Sequence, residues 1–153
     1  MDDRAVVARQ IGRTPRAFRR VAVRCPHGKP AVTEQDAFDD RGEPFPTMYW
    51  LTCPHLVAAV SRLEAAGGVE RWSREAAERP ALRDSLAWAN AEQQRLRPEV
   101  PGGVAGTRPG AGSIKCLHAH GAFALAHPEY ELGTRILGEI DPLWPVEECC
   151  TPP

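Results

Sequence analysis

Three short stretches hold the residue types that could do chemistry. Cys-Pro-His occurs at 25–27 and again at 53–55, and Lys115-Cys116-Leu117-His118-Ala119-His120 follows much later in the chain. Thiolate sulfur and imidazole nitrogen suit tetrahedral zinc, and thiolates also hold iron–sulfur clusters. The same pair of groups can act as a cysteine nucleophile and its general base. Proline after Cys25 and Cys53 fixes the chain and biases each cysteine to extended backbone, a way to present sulfur at the rim of a sheet. Cys25, Cys53 and Cys116 are therefore the candidate sulfur ligands, with His118 first and His120 second as the fourth. On a continuous helix Cys116 and His120 share a face, whereas a helix that begins near Cys116 lets His118 turn toward the sheet. The bland alternative is three cysteines buried as small apolar residues. His27 and His55 then read as turn and helix-start residues, and His127, before Pro128, as a helix end.

The elements that would position these groups fall in a simple order. Residues 2–12 read as a short helix, with Asp2 and Asp3 at the positive end of its dipole and Gly12 to stop it. Period-2 alternation over 16–24 predicts a first strand, running into the turn Cys25-Pro26-His27-Gly28. A second extended piece covers 31–38, and the aromatic-rich stretch 45–53 reads as a third strand, the most buried. In an antiparallel meander the first and third strands run the same way, which brings the Cys25 and Cys53 ends to one side of the sheet. Helical spacing takes over from His55, with Gly67-Gly68 closing one helix and Pro80 interrupting a long stretch over 70–97. Residues 98–112, rich in Pro and Gly, read as a flexible loop. Further helices are expected over 113–126 and 131–140, followed by a Pro-rich tail over 141–153. The tail's Cys149-Cys150 reads as exposed and outside any site. Strands first and helices after predict an α+β fold, a three-stranded antiparallel meander packed by C-terminal helices, in one domain spanning 1–153.

Composition narrows the function classes. Hydrophobic residues make up 42% and charged residues 25% of 153, a balance that supports a packed core without disulfides. The net charge of −1 argues against a protein that coats nucleic acid through bulk positive charge. Seven arginines crowd Arg4–Arg24 behind Asp2 and Asp3, and they read as a solvated face. Of 19 basic residues only Lys29 and Lys115 are lysines. A GC-rich bacterial coding sequence produces that bias, so arginine counts say little about phosphate. No stretch approaches the ~20 apolar residues of a membrane span, and the first residues lack the pattern of a signal peptide. A cytoplasmic protein is the expectation. An odd number of cysteines, five, argues against a disulfide framework. There is no GxGxxG, P-loop or GxSxG motif.

Several blocks together resemble a known family: Gly12-Arg13-x-Pro15-Arg16, Arg24-Cys25-Pro26-x-Gly28-x-Pro30, Phe45-Pro46-Thr47-x-Tyr49-Trp50-Leu51-Thr52-Cys53-Pro54, Ser61-Arg62-Leu63-Glu64-Ala65 and Lys115-Cys116-Leu117-His118. They resemble the bacterial DUF501 family, over about residues 5–140. The family is of unknown function, so the resemblance implies no activity. It does place Cys25, Cys53, Cys116 and His118 inside motif blocks, and leaves His27, His55 and the terminal cysteines outside them.

The expectation is a metal-binding or regulatory protein with a protein partner, in which Cys25, Cys53, Cys116 and His118 (or His120) bind one zinc. Four protein ligands would leave no open position, which is a structural site. The alternatives are an enzyme with Cys53 or Cys116 as nucleophile and His118 as base, and an iron–sulfur or haem redox sensor.

Overall fold

The computed structural model describes residues 2–108 and 112–148; Cys149-Cys150 lies outside them. Helix α1 (Asp3–Ile11) opens with the Asp2 carboxylate accepting a hydrogen bond from the Arg4 N–H at 3.0 Å. It ends at Gly12, whose φ of 73° lies in the left-handed region. Strands β1 (Phe18–Arg24), β2 (Pro30–Gln35) and β3 (Tyr49–Leu51) pair antiparallel in the order β1-β2-β3. This is the expected meander, and with the helices that follow it makes an α+β fold.

The buried strand is the middle one. Every residue of β2 is buried, including Thr33, Glu34 and Gln35, because β1 and β3 flank both edges. Gln35 satisfies its amide by donating to Thr33 Oγ1 at 2.8 Å, and the Glu34 carboxylate meets Arg20 at 2.9 Å. The aromatic stretch expected as a strand over 45–53 pairs in β3 only over Tyr49–Leu51. Pro44 and Pro46 have no N–H to give a ladder. Buried Arg97 instead staples this entry, donating to the carbonyls of Phe45 at 2.6 Å and Asp36 at 2.9 Å.

Five helices follow the sheet, and of these α5 (Leu117–Ala126) makes the main contact with its strands. In α2 (Pro54–Ala65), proline sits where no intrahelical N–H is needed. The long helical stretch divides at Pro80 into α3 (Gly68–Glu78) and α4 (Pro80–Leu96). Residues 100–107, within the stretch read as a flexible loop, carry a 3₁₀ turn and pack down. Val104 is buried, its N–H donates to Asn90 Oδ1 at 2.9 Å, and Gln93 donates to the Gly103 carbonyl at 2.7 Å. Helix α5 (Leu117–Ala126) is buried on nearly every face, against β3, α2 and α6 (Glu131–Leu137). Its Phe123, Leu117 and Ala122 lose all exposure, at about 1.5–3 kcal/mol for each of the larger two side chains. Close approach of α6 demands Gly133, where a Cβ would stand 2.6 Å from the Ala124 Cβ.

The histidines of the two Cys-Pro-His tripeptides have a structural task. Nε2 of His27 donates to the Pro145 carbonyl and Nε2 of His55 to the Pro142 carbonyl, each at 2.9 Å. Together with Lys29–Glu148 at 3.1 Å, they fasten the C-terminal segment across the sheet end and the start of α2.

Candidate metal centre and its cleft

The site is built at the start of α5. Cys116 is the N-cap residue, with extended backbone (φ −153°, ψ 121°), so it is not yet in the helix. That removes the expected face shared with His120, because the four-residue rule holds only within helical backbone. The first amides of any helix lack intrahelical partners. Here the Leu117 N–H donates to Glu64 Oε2 at 2.9 Å, a cap supplied by the last turn of α2. The carboxylate's other oxygen, Oε1, then lies 3.2 Å from His118 Nδ1. The Cys116 sulfur lies 3.9 Å from that same nitrogen. Among the described residues, Glu64, Cys116 and His118 form the one group of three such donors with ligand atoms all within 4.8 Å of one another.

The imidazole is fixed from its far side too. His118 Nε2 is 3.3 Å from the Val57 carbonyl and 3.1 Å from Ser61 Oγ. A carbonyl can only accept, so Nε2 carries the hydrogen, and Nδ1 is the atom left to face Glu64 and Cys116. A carbonyl on the distal nitrogen is how metal-binding histidines are usually oriented. It also disqualifies Ser61 as a nucleophile activated by His118, since Nε2 has no lone pair for the serine proton.

Electrostatics follow from this crowding. Burial alone would raise the Cys116 pKa, but hydrogen bonding to His118 and the nearby Ala119 amide outweigh it and hold the thiol below its ordinary value. The Ala119 amide does this without forming a formal capping bond. The His118 pKa is raised, first by its hydrogen bond with Cys116 and also by the Glu64 charge, against a lowering from burial. Two potential anions therefore share one nitrogen, and a cation between them, proton or metal, is what the pocket favours.

Cys116 and His118 line a cleft of about 750 Å³. Its walls come from the end of α1, β3, the start of α2 and the segment before α5, with Trp50, Leu51, Val57 and Ala119 as apolar surface. The Arg13 guanidinium lies 4.8 Å from the centroid of the Trp50 ring. That volume falls in the range of small-molecule sites.

The other expected ligands lie elsewhere. Cys25 is 5% exposed in the turn after β1, and Cys53, fully buried, is the N-cap of α2. Both belong to the apolar core and neither joins the Glu64–Cys116–His118 group. With β2 between β1 and β3, the two chain ends that carry them stand about two strand spacings, ~10 Å, apart. His120 is fully buried and turned to Tyr130, whose hydroxyl is 2.7 Å from Nδ1. Burial lowers its pKa to about 4. Glu64 was not among the expected ligands. The sequence carried a signal for it, an acid three residues after Ser61 on an amphipathic helix and inside a motif block, but nothing pointing to Cys116.

Comparison with known proteins adds a family. The family described as "Protein of unknown function (DUF501)" matches residues 21–102, more than half of the chain. The chain belongs to the DUF501 family. No curated protein and no solved structure matches it. The matched span of this DUF501 member includes Cys25, Cys53 and Glu64, whereas Cys116 and His118 follow it. Among the described residues no helix is long and apolar enough to cross a membrane.

Proposed function

We propose that this DUF501 protein binds one divalent metal, zinc, through Glu64, Cys116 and His118, with the fourth coordination position open to the cleft. The observation that carries the reading is the convergence of one S, one N and one O donor, from the last turn of α2 and the start of α5, with all three ligand atoms within 4.8 Å of one another. Tetrahedral zinc with bonds of ~2.0–2.3 Å sets its ligand atoms about 3.3–3.8 Å apart. Two of the three separations, 3.2 and 3.9 Å, are near this range, and the sulfur and Glu64 oxygen lie within 4.8 Å of each other. Zinc accepts mixed donors, whereas an iron–sulfur cluster is held chiefly by several thiolates, and this group has one.

Three protein ligands with an open position are the composition of catalytic zinc sites, in contrast to the closed four-ligand site expected from sequence. Such a metal polarises a bound oxygen or lowers the pKa of a bound water. The reading is thus of a metal site that engages a small molecule. A competition titration against a chromophoric chelator tests it. One equivalent of zinc should bind the full chain, and Cys116→Ser, His118→Ala and Glu64→Gln should each weaken binding at least tenfold. Binding unchanged by all three substitutions would overturn the assignment.

A second reading rests on the lowered Cys116 and raised His118 pKa values, the signature of a thiolate–imidazolium pair. It makes Cys116 the nucleophile and His118 its base. Glu64 speaks against it, because a carboxylate on Nδ1 holds the proton the base must exchange with sulfur. The two readings separate on zinc: a metal ligand is protected from alkylation by zinc, whereas a nucleophile with no metal affinity is not.

A further inference from the structure

We infer that the cleft beside Cys116 and His118 takes an anionic small molecule, a phosphate- or carboxylate-bearing compound with an apolar body. The inference deepens the metal reading by naming the ligand class, and rests on it only for where the metal's open position faces.

Charge accounting carries the argument. Several basic side chains sit against a carboxylate, among them Arg16 with Asp40, Arg20 with Glu34, Arg24 with Asp3, Arg71 with Glu139, and Lys29 with Glu148. What sets Arg13 and Lys115 apart from these cations is that they share one concavity with no carboxylate in its lining. Arg13 and Lys115 line the cleft, and among the described residues neither has a carboxylate ion pair. The cleft lining contains no Asp or Glu at all. In a chain of net charge −1, a concavity lined by two cations and no carboxylate is a local departure from the whole. Both side chains are exposed, and their like charges together draw an incoming anion toward the cleft.

Position and preorganisation add to charge. Arg13 directly follows the left-handed Gly12 that ends α1, and Trp50 of β3 holds its guanidinium by a cation–π contact at 4.8 Å. A planar fork fixed in this way is suited to two oxygens of a phosphate or carboxylate. Lys115 immediately precedes Cys116, the proposed ligand, and both residues line the cleft. Ile11, Pro54, Val57 and Ala58 supply apolar surface that suits a hydrocarbon portion, beside the uncharged Gln10, Thr47 and Thr52.

Calorimetric titration of the 153-residue chain, with metal removed by chelator, tests this with three probes of similar shape: phenyl phosphate, benzoate and benzyl alcohol. One or both anions should bind at least about tenfold more tightly than the alcohol. Arg13→Ala and Lys115→Ala should each weaken the preferred anion by about tenfold and leave the alcohol unchanged. Preference for phenyl phosphate marks phosphate esters as the ligand class, and preference for benzoate marks carboxylates. Equal binding of all three probes, or anion binding indifferent to both substitutions, would overturn the inference. The metal reading is scored separately. Arg13→Ala and Lys115→Ala should retain zinc, and metal-free Cys116→Ser should retain the anion preference. A protein that binds zinc without preferring anions loses this inference alone.

Discussion

His118 is gripped at both ring nitrogens, and that grip decides what Cys116 can be. With Nε2 committed to the Val57 carbonyl, Nδ1 is the only nitrogen available to the sulfur and to Glu64. The thiol is held below its ordinary pKa and is half-buried at a cleft, whereas Cys25 and Cys53 are buried in the core. Alkylation followed by site-resolved mass spectrometry should therefore modify Cys116 well before Cys25 or Cys53 in the native protein, and zinc should suppress that reaction. Equal modification of the three in native protein would mean that burial and pKa do not differ as described. His120 supplies a second residue-scale test. Its folded pKa is about 4 against ~6.5 in an unfolded chain, so between these values the unfolded state binds the extra proton. The neutral buried form stabilises the fold fully above pH ~6.5, and that contribution is lost as pH falls toward 4, by about 3 kcal/mol at most. The melting temperature should drop over that window in the wild type and drop less in His120→Leu. Parallel curves for the two proteins would show that His120 is not the buried neutral group described.

Glu64 joins two elements, and its two oxygens have separable tasks. Oε2 caps α5 through the Leu117 N–H, and Oε1 faces the proposed metal position. Glu64→Gln keeps an oxygen for the cap and loses the charge; Glu64→Ala loses both. Thermal unfolding of the metal-free proteins should place Glu64→Gln within about 0.5 kcal/mol of wild type, and Glu64→Ala lower by about 1 kcal/mol. Both should have lost zinc affinity. A glutamine variant as unstable as the alanine one would show that the charge, not the cap, holds α5. The order of elements was legible from periodicity, and the helix break at Pro80 from the ring's missing N–H. The start of α5 was not. An apolar run from Ser113 reads as continuous helix, yet the helix begins at Leu117, because the cap comes from Glu64, 53 residues away. That long-range contact is also why Cys116 pairs with His118 and not with His120.

At the scale of the whole molecule, the repeated Cys-Pro-His marks one end of the sheet, where its residues pack and fasten the chain. Its histidines fasten the C-terminal segment through Pro142 and Pro145, partners 87 and 118 residues away that no local pattern announces. Its cysteines fill the core on either side of β2. What remained legible was Cys116 with His118, two residues apart on one block. The third member of the proposed centre, Glu64, is visible in the sequence as a helix residue but comes beside them only once α2 packs against α5. The most direct test of that three-residue centre is the electronic spectrum of the full chain loaded with cobalt(II), which reports ligand type and geometry together. A Glu64–Cys116–His118 centre gives tetrahedral bands and a single-thiolate charge-transfer band, abolished by Cys116→Ser and kept in Cys25→Ala and Cys53→Ala. A spectrum of solvated cobalt, or a thiolate band that survives Cys116→Ser and vanishes with Cys25→Ala or Cys53→Ala, would contradict it.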